Sequence, residues 1–178
     1  MVYKMTTNEF QTHCRLGNMI EVKRGLKDKN VKPEESAQYA FRNAVENGRI
    51  EVVRLMLKDS RIIPNVVNDH AIRISAQEGY EEIVEMLLLD NRVDPTAQDN
   101  YAIKQAVSFG HLGVVKLLLD DGRADPSDGN NYILGSAKRN GFDEIFNLLK
   151  LNYKVIEKAI KLNQLEYIPE MINDIFIF

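Results

Sequence analysis

Tyr101-Ala102-Ile103-Lys104-Gln105-Ala106-Val107-Ser108-Phe109-Gly110-His111-Leu112-Gly113-Val114-Val115-Lys116-Leu117-Leu118-Leu119 reads as two short helices joined at Gly110. Ala102, Ile103 and Ala106 mark one face of the first helix; Val114, Val115 and Leu117 to Leu119 supply an apolar side for the second. Working outward, the arrangement recurs in both directions. Gly17, Gly48, Gly79, Gly110 and Gly141 stand 31 residues apart, and so do Pro33, Pro64, Pro95 and Pro126. Two breaker residues locked at one period mark a stacked array of helix pairs.

The frame fixes the role of each position. Ala40, Ala71, Ala102 and Ile133, then Phe41, Ile72, Ile103 and Leu134, then Ala44, Ser75, Ala106 and Ala137 form the inner face of a first helix. Small residues there let neighbouring helices approach closely. After each glycine come Val52 and Val53, Ile83 and Val84, Val114 and Val115, Ile145 and Phe146, followed by leucine-rich runs. This second helix carries the larger apolar load and is expected to be the more buried. It ends near Asp59, Asp90 and Asp121, each followed two residues later by Arg61, Arg92 or Arg123. An aspartate faces the unfavourable end of the helix dipole there. The arginines are therefore expected to bridge to aspartates of the same or the next repeat, as a ladder.

Beyond the second helix lies a short non-helical finger, Asn65 to Asp69, Thr96 to Asn100 and Ser127 to Asn131. The proline before each removes a donor and favours extended backbone. Asp69, Asn100 and Asn131 are expected to N-cap the next helix.

The expected architecture is all-α: about six stacked antiparallel helix pairs with short finger loops, a single elongated core and little or no sheet. Residues 1–7 form a lead-in and 8–33 a degenerate capping repeat. Residues 34–64, 65–95, 96–126 and 127–151 are full repeats. Residues 152–178 form a shortened capping pair, with Asn163 in the glycine place, and a tail. The apolar end Ile175 to Phe178 is expected to pack on that last pair.

The bulk numbers agree with a soluble array. The 178 residues carry a net charge of −3, with 44% apolar and 28% charged residues. That balance argues against nucleic acid, whose binding is driven by Lys and Arg. The one cysteine, Cys14, cannot form an internal disulfide, so a reducing compartment is expected. Met1 to Phe10 has no leader-like apolar run. No stretch reaches the roughly 18 apolar residues of a membrane span.

Chemistry-bearing residues are dispersed by the same frame. His13, His70 and His111 stand four before, nine before and one after the repeat glycine, so the stack separates them. Cys14 falls beside the core of the first helix with no fitting base. Asp128-Gly129-Asn130-Asn131 lacks the lysine of a phosphate loop. Asp120, Asp121 and Asp125 lack the spacing of a calcium loop. Lys138, Arg139, Lys150, Lys154, Lys158 and Lys161 read as a solvated face of the end cap, or as the seat of an acidic partner.

These motifs resemble the ankyrin repeat. Gly110 to Leu119 is similar to that family's second-helix motif, and the resemblance recurs in register over about residues 8–172. Two departures stand out. The family's Thr-Pro-Leu-His opening is replaced by Tyr101-Ala102-Ile103-Lys104, with relatives at Tyr39, His70 and Tyr132. The unit is also 31 residues where the family's is about 33, which shortens the finger. Repeats ending like Arg92-Val93-Asp94-Pro95 resemble those of amoebal and giant-virus proteins.

The resemblance implies a protein-binding module, adaptor or inhibitor, with no catalytic residues and no cofactor. Its partner is a protein, with no nucleic acid and no membrane, and the working form is a monomer. The expected compartment, from the single cysteine, is the cytoplasm, or the host cytoplasm if the chain is viral. The alternative is an enzyme with an unrecognised site. On the family's concave side stand the two positions before each glycine: Glu46, Asn47, Gln77, Glu78, Ser108, Phe109, Arg139 and Asn140. The finger adds Val66, Val67, Asp69, Gln98, Asp99, Asn100, Asp128 and Asn131. Phe109 is the expected anchor, or else a local packing residue against Leu112.

Overall fold

The computed structural model describes residues 4–31, 38–152, 157 and 161. Ten helices follow in chain order: α1 Thr7–Leu16, α2 Met19–Lys27, α3 Gln38–Glu46, α4 Ile50–Leu57, α5 Val66–Glu78, α6 Glu81–Leu88, α7 Ala97–Ser108, α8 Leu112–Asp121, α9 Asp128–Asn140 and α10 Asp143–Lys150. They make five helix pairs, with no strand among the described residues. Helix accounts for more than half the chain. Pro33, the sixth pair, Asn163 and the apolar end lie outside the described residues.

Contacts divide into two compact units, Met1–Ser75 with Tyr80–Asp94, and Ala76–Gly79 with Pro95–Phe178. Each unit buries its own set of apolar side chains. In a stack each repeat is packed by its nearest neighbours, so no centre is shared by all.

Local chemistry sets the helix ends. In α1, Thr6 Oγ1 accepts the N–H of Glu9, and Glu9 Oε2 accepts the N–H of Thr6 at 2.8 Å. This reciprocal box satisfies two orphan donors. Asn18 caps α2 in a similar way, accepting from the N–H of Glu21. At the other end of the first helices the repeat glycines take positive φ, +74° at Gly79.

Those glycines have a second task. A Cβ on Gly79 would stand 2.6 Å from Nδ1 of His111, and one on Gly48 would stand 3.0 Å from the ring of Tyr80. The residue after the next repeat's glycine therefore covers the preceding glycine. His111 also donates from Nε2 to the carbonyl of Gln77 at 2.8 Å. That acceptor fixes which nitrogen carries the proton. Arg49 repeats the bond, donating from Nε to the carbonyl of Arg15 at 2.8 Å.

The burial pattern reverses one expectation. α3 buries Ala40, Phe41, Ala44 and Val45, and α7 buries Ala102, Ile103, Ala106 and Val107. The leucine-rich α4, α6, α8 and α10 bury three residues each. Leu55, Leu57, Met86 and Leu88 are only half-buried, and Leu89 is 82% exposed. Their apolar residues spread round more of the helix than neighbouring elements cover, whereas alanine lets neighbours close on the first helices.

The arginine ladder exists in altered form. Arg61, Arg92 and Arg123 each donate from Nε to the aspartate of their own repeat, Asp59, Asp90 and Asp121, at 2.8 Å. The link between repeats goes to backbone instead. Arg61 donates to the carbonyl of Leu26, and Arg92 to that of Ile62, both at 2.8 Å. Hydrogen bonds from these arginines hold all three carboxylates below the usual range.

Candidate partner-binding surface

The fingers begin with proline and do not stay extended. Val67, Asn68 and Asp69 have φ of 56°, 55° and 55°; Gln98, Asp99 and Asn100 have 55°, 56° and 56°. Each triplet is a single left-handed turn, after which the right-handed helix starts at His70 and Tyr101. Asn and Asp tolerate this region, but a valine does so at a cost of about 1–2 kcal/mol. Arg73 reaches back to hold the turn, donating to the carbonyls of Asn68 at 2.8 Å and Val67 at 3.1 Å.

This geometry corrects the role expected of two cap residues. Asp69 Oδ1 accepts the backbone N–H of Asp94 at 2.8 Å, and Asn100 Oδ1 accepts that of Asp125 at 2.8 Å. Both side chains point to the following finger, because a left-handed residue cannot aim its carbonyl group where a β-region N-cap would. Asp69 is only 8% exposed. Burial raises its pKa, and the nearby Asp94 charge adds to the rise.

The positions two before the glycine are also partly occupied. Glu46 Oε1 lies 2.8 Å from Nε2 of His70, and Gln77 Oε1 accepts from the hydroxyl of Tyr101 at 3.4 Å. His70 and Tyr101 stand at one frame position. Their recurrence as aromatic residues at 39, 70, 101 and 132 was the sequence signal for this rung. Ser108 donates to the carbonyl of Lys104, and Asn47 to that of Asn43, each at 2.8 Å within its own helix.

What remains open differs from repeat to repeat. In the first unit, Val67 is 57% exposed, with Val66 half-buried beside it. In the second unit Glu78, Gln98, Asp99, Phe109, Arg139 and Asn140 are exposed. Gln77 donates to Glu78 at 3.1 Å. Phe109 is 57% exposed and stacks on His111, with ring centroids 6.3 Å apart. Its ring neighbour is His111. Asp128 and Asn131 fall in the opening turns of α9.

The basic cluster of the second unit is interleaved with rings. Arg139 lies over Tyr132 at 5.7 Å, and Lys138 and Lys150 lie over Phe146 at 5.5 and 5.8 Å. Lys161 donates to Glu157 at 2.7 Å. Lys154 and Lys158 lie outside the described residues.

The groups with catalytic or metal-binding chemistry are placed separately. Cys14 is buried, and desolvation pushes its thiol up to about 12, far from a reactive thiolate. His70 and His111 are bonded to Glu46 and to the Gln77 carbonyl as above. Among the described residues no group of three or more His, Cys, Asp and Glu could hold a metal ion. No described helix is long and apolar enough to cross a membrane.

The sequence model of the ankyrin-repeat family, described as ankyrin repeats in many copies, matches residues 76–119. No curated protein matches the chain.

Proposed function

We propose that the chain, of which residues 76–119 match the ankyrin-repeat model, works by holding a partner protein on the first helices and finger turns, the concave face of that family. Ankyrin repeats generally mediate protein–protein interaction. The supporting observation is a contrast. Core positions repeat their chemistry, while the exposed positions run through an acid, an aromatic, a cation and amides at Glu78, Phe109, Arg139 and Asn140. A fixed scaffold with varied exposed side chains is what selective recognition requires.

Phe109 is the anchor in this reading, with Glu78, Gln98 and Asp99 as polar contacts in the second unit and Val67 as the apolar contact in the first. Asp69 and Asn100 are left out, because their side-chain oxygens already hold the next finger. The role is adaptor or inhibitor, carried out by a monomer in a reducing cytoplasm. Affinity capture from the native cell, read by mass spectrometry, identifies the partner. The double substitution Phe109→Ala with Glu78→Arg then tests the face, with an expected loss of about 2 kcal/mol or more. Undiminished affinity in a variant with intact circular dichroism moves the partner elsewhere.

A further inference from the structure

We propose that the groove between α2 and α4 is a second docking surface, and that it receives an acidic amphipathic helix. The groove has a volume of about 550 Å³, and its lining includes Lys23, Leu26, Lys27, Leu55 and Lys58. It lies on the second helices, away from the first-helix positions considered above. Leu26 and Leu55 are half-buried, and the three lysines are exposed. An aliphatic floor under a cationic rim suits an occupant with apolar side chains on one stripe and carboxylates beside it.

Among the described residues the charge is uncompensated. Glu21 is paired with Arg24 at 3.5 Å, Glu51 with Arg54 at 3.4 Å, and Asp59 with Arg61. Asp28 accepts from both nitrogens of Asn30. Each acid on these two helices and their C-terminal ends thus has its own partner. Among the described residues, none has a hydrogen bond or ion pair to the ammonium group of Lys23, Lys27 or Lys58. Lys23 and Lys27 sit one helical turn apart, where like charges disfavour the helix that carries them. Carboxylates one turn apart on a docked helix relieve that repulsion.

The next groove provides the internal comparison. Its volume is about 540 Å³, and its lining includes Leu57, Met86, Leu89, Asp90 and Arg92. Leu89 stands where the first groove has Lys58. Arg54 stands where it has Lys23, and its guanidinium is engaged by Glu51 and Glu82. Lys58 stands where the first groove has Lys27, so the groove recurs with one of the three rim lysines, while the free cations at the other two positions do not recur. The full rim is therefore a feature of the first groove, and an acidic occupant is its electrostatic complement.

The test uses the full chain and a fluorescein-labelled, stapled helical peptide of about 16 residues, long enough for a stable helix. Leucines form one stripe and glutamates fill the rest; binding is read by anisotropy. The expected result is saturable binding that weakens with salt. Lys23→Glu, Lys27→Glu and Lys58→Glu together weaken it about ten-fold or more. A peptide with lysines in place of glutamates regains affinity for that triple variant. Leu89→Ser, in the next groove, leaves binding unchanged. The proposal is overturned by no binding to the wild-type chain, by equal affinity of the triple variant, or by an equal loss in Leu89→Ser. It is also overturned if phosphatidylserine vesicles or duplex DNA bind the lysine rim more tightly than the peptide does.

Discussion

Asp69 accepts the backbone N–H of Asp94 at 2.8 Å, and in the following repeat Asn100 accepts that of Asp125 at the same distance. One bond is made by a buried acid and the other by an amide. The acid is desolvated and faces a second carboxylate, whereas the amide makes the same bond without charge.

Asp69→Asn is therefore expected to stabilise the fold at neutral pH, by about 0.5–1 kcal/mol. The sign follows from linkage. The folded pKa of Asp69 is raised, so its contribution is fully present below the unfolded value and is lost as pH rises through the folded one. The advantage of the variant should vanish in acid, below about pH 4. Urea unfolding of both chains at neutral and acid pH measures this; a pH-independent difference rules out ionisation as the cause.

Arg92→Met tests the ladder. It removes the partner of Asp90 and the bond to the Ile62 carbonyl. Part of the arginine is solvated, so the expected cost is about 1 kcal/mol. The Asp90 pKa is lowered by Arg92. Its contribution is present above the unfolded value and lost as pH falls through the folded one. The stability gap should narrow in acid. A gap that stays constant assigns the stabilisation to the Ile62 carbonyl alone.

Gly79→Ala and Gly122→Ala separate backbone strain from crowding. Both glycines have φ near +75°, at +74° and +78°. Only Gly79 is crowded, with His111 Nδ1 at 2.6 Å from an added Cβ, while nothing lies within 4 Å at Gly122. Gly122→Ala should cost about 1–2 kcal/mol from strain, and Gly79→Ala about 1–3 kcal/mol more from overpacking. In a double-mutant cycle with His111→Ala the excess should largely disappear. Equal costs at the two glycines would show that His111 yields without penalty.

Val67→Asn should raise stability by about 1 kcal/mol, because a β-branched residue at φ 56° is strained and this one buries little surface. If Val67 contacts the partner, the same substitution weakens binding. Thermal unfolding and partner affinity moving in opposite directions would carry both points. Reduced stability would mean that the valine packs more than it strains.

The stacked helix pairs were legible because Gly79, Gly110 and Pro95 speak for backbone, and backbone breakers keep their meaning in any context. The left-handed turn was not. Val67 argues locally against it, and bonds from Arg73 and from the N–H of Asp94 help hold it there. The N-cap assignment of Asp69 and Asn100 failed for a similar reason, since their acceptor oxygens serve N–H groups 25 residues onward. Of the candidate surface, Glu78, Phe109 and Arg139 are exposed as their frame positions suggest. Glu46 and Gln77 meet His70 and Tyr101 instead, which required reading two columns of the repeat against each other.

The ties from Arg49 to Arg15, Arg61 to Leu26, Arg92 to Ile62 and His111 to Gln77 share one sense. In each, the later residue donates and the earlier backbone accepts. The N–H groups of Asp94 and Asp125 also donate to earlier residues, there to the side-chain oxygens of Asp69 and Asn100. The ties to backbone carbonyls therefore have a chemical polarity, while Met5 and Arg54 donate in the opposite sense, to the carboxylates of Asp28 and Glu82. Each segment emerging from the ribosome finds its acceptors already made, so docking can keep pace with synthesis. Loss from the two ends is unequal as well. Trimming later repeats leaves carbonyls, which water satisfies readily; trimming earlier ones strands guanidinium groups that had been anchored.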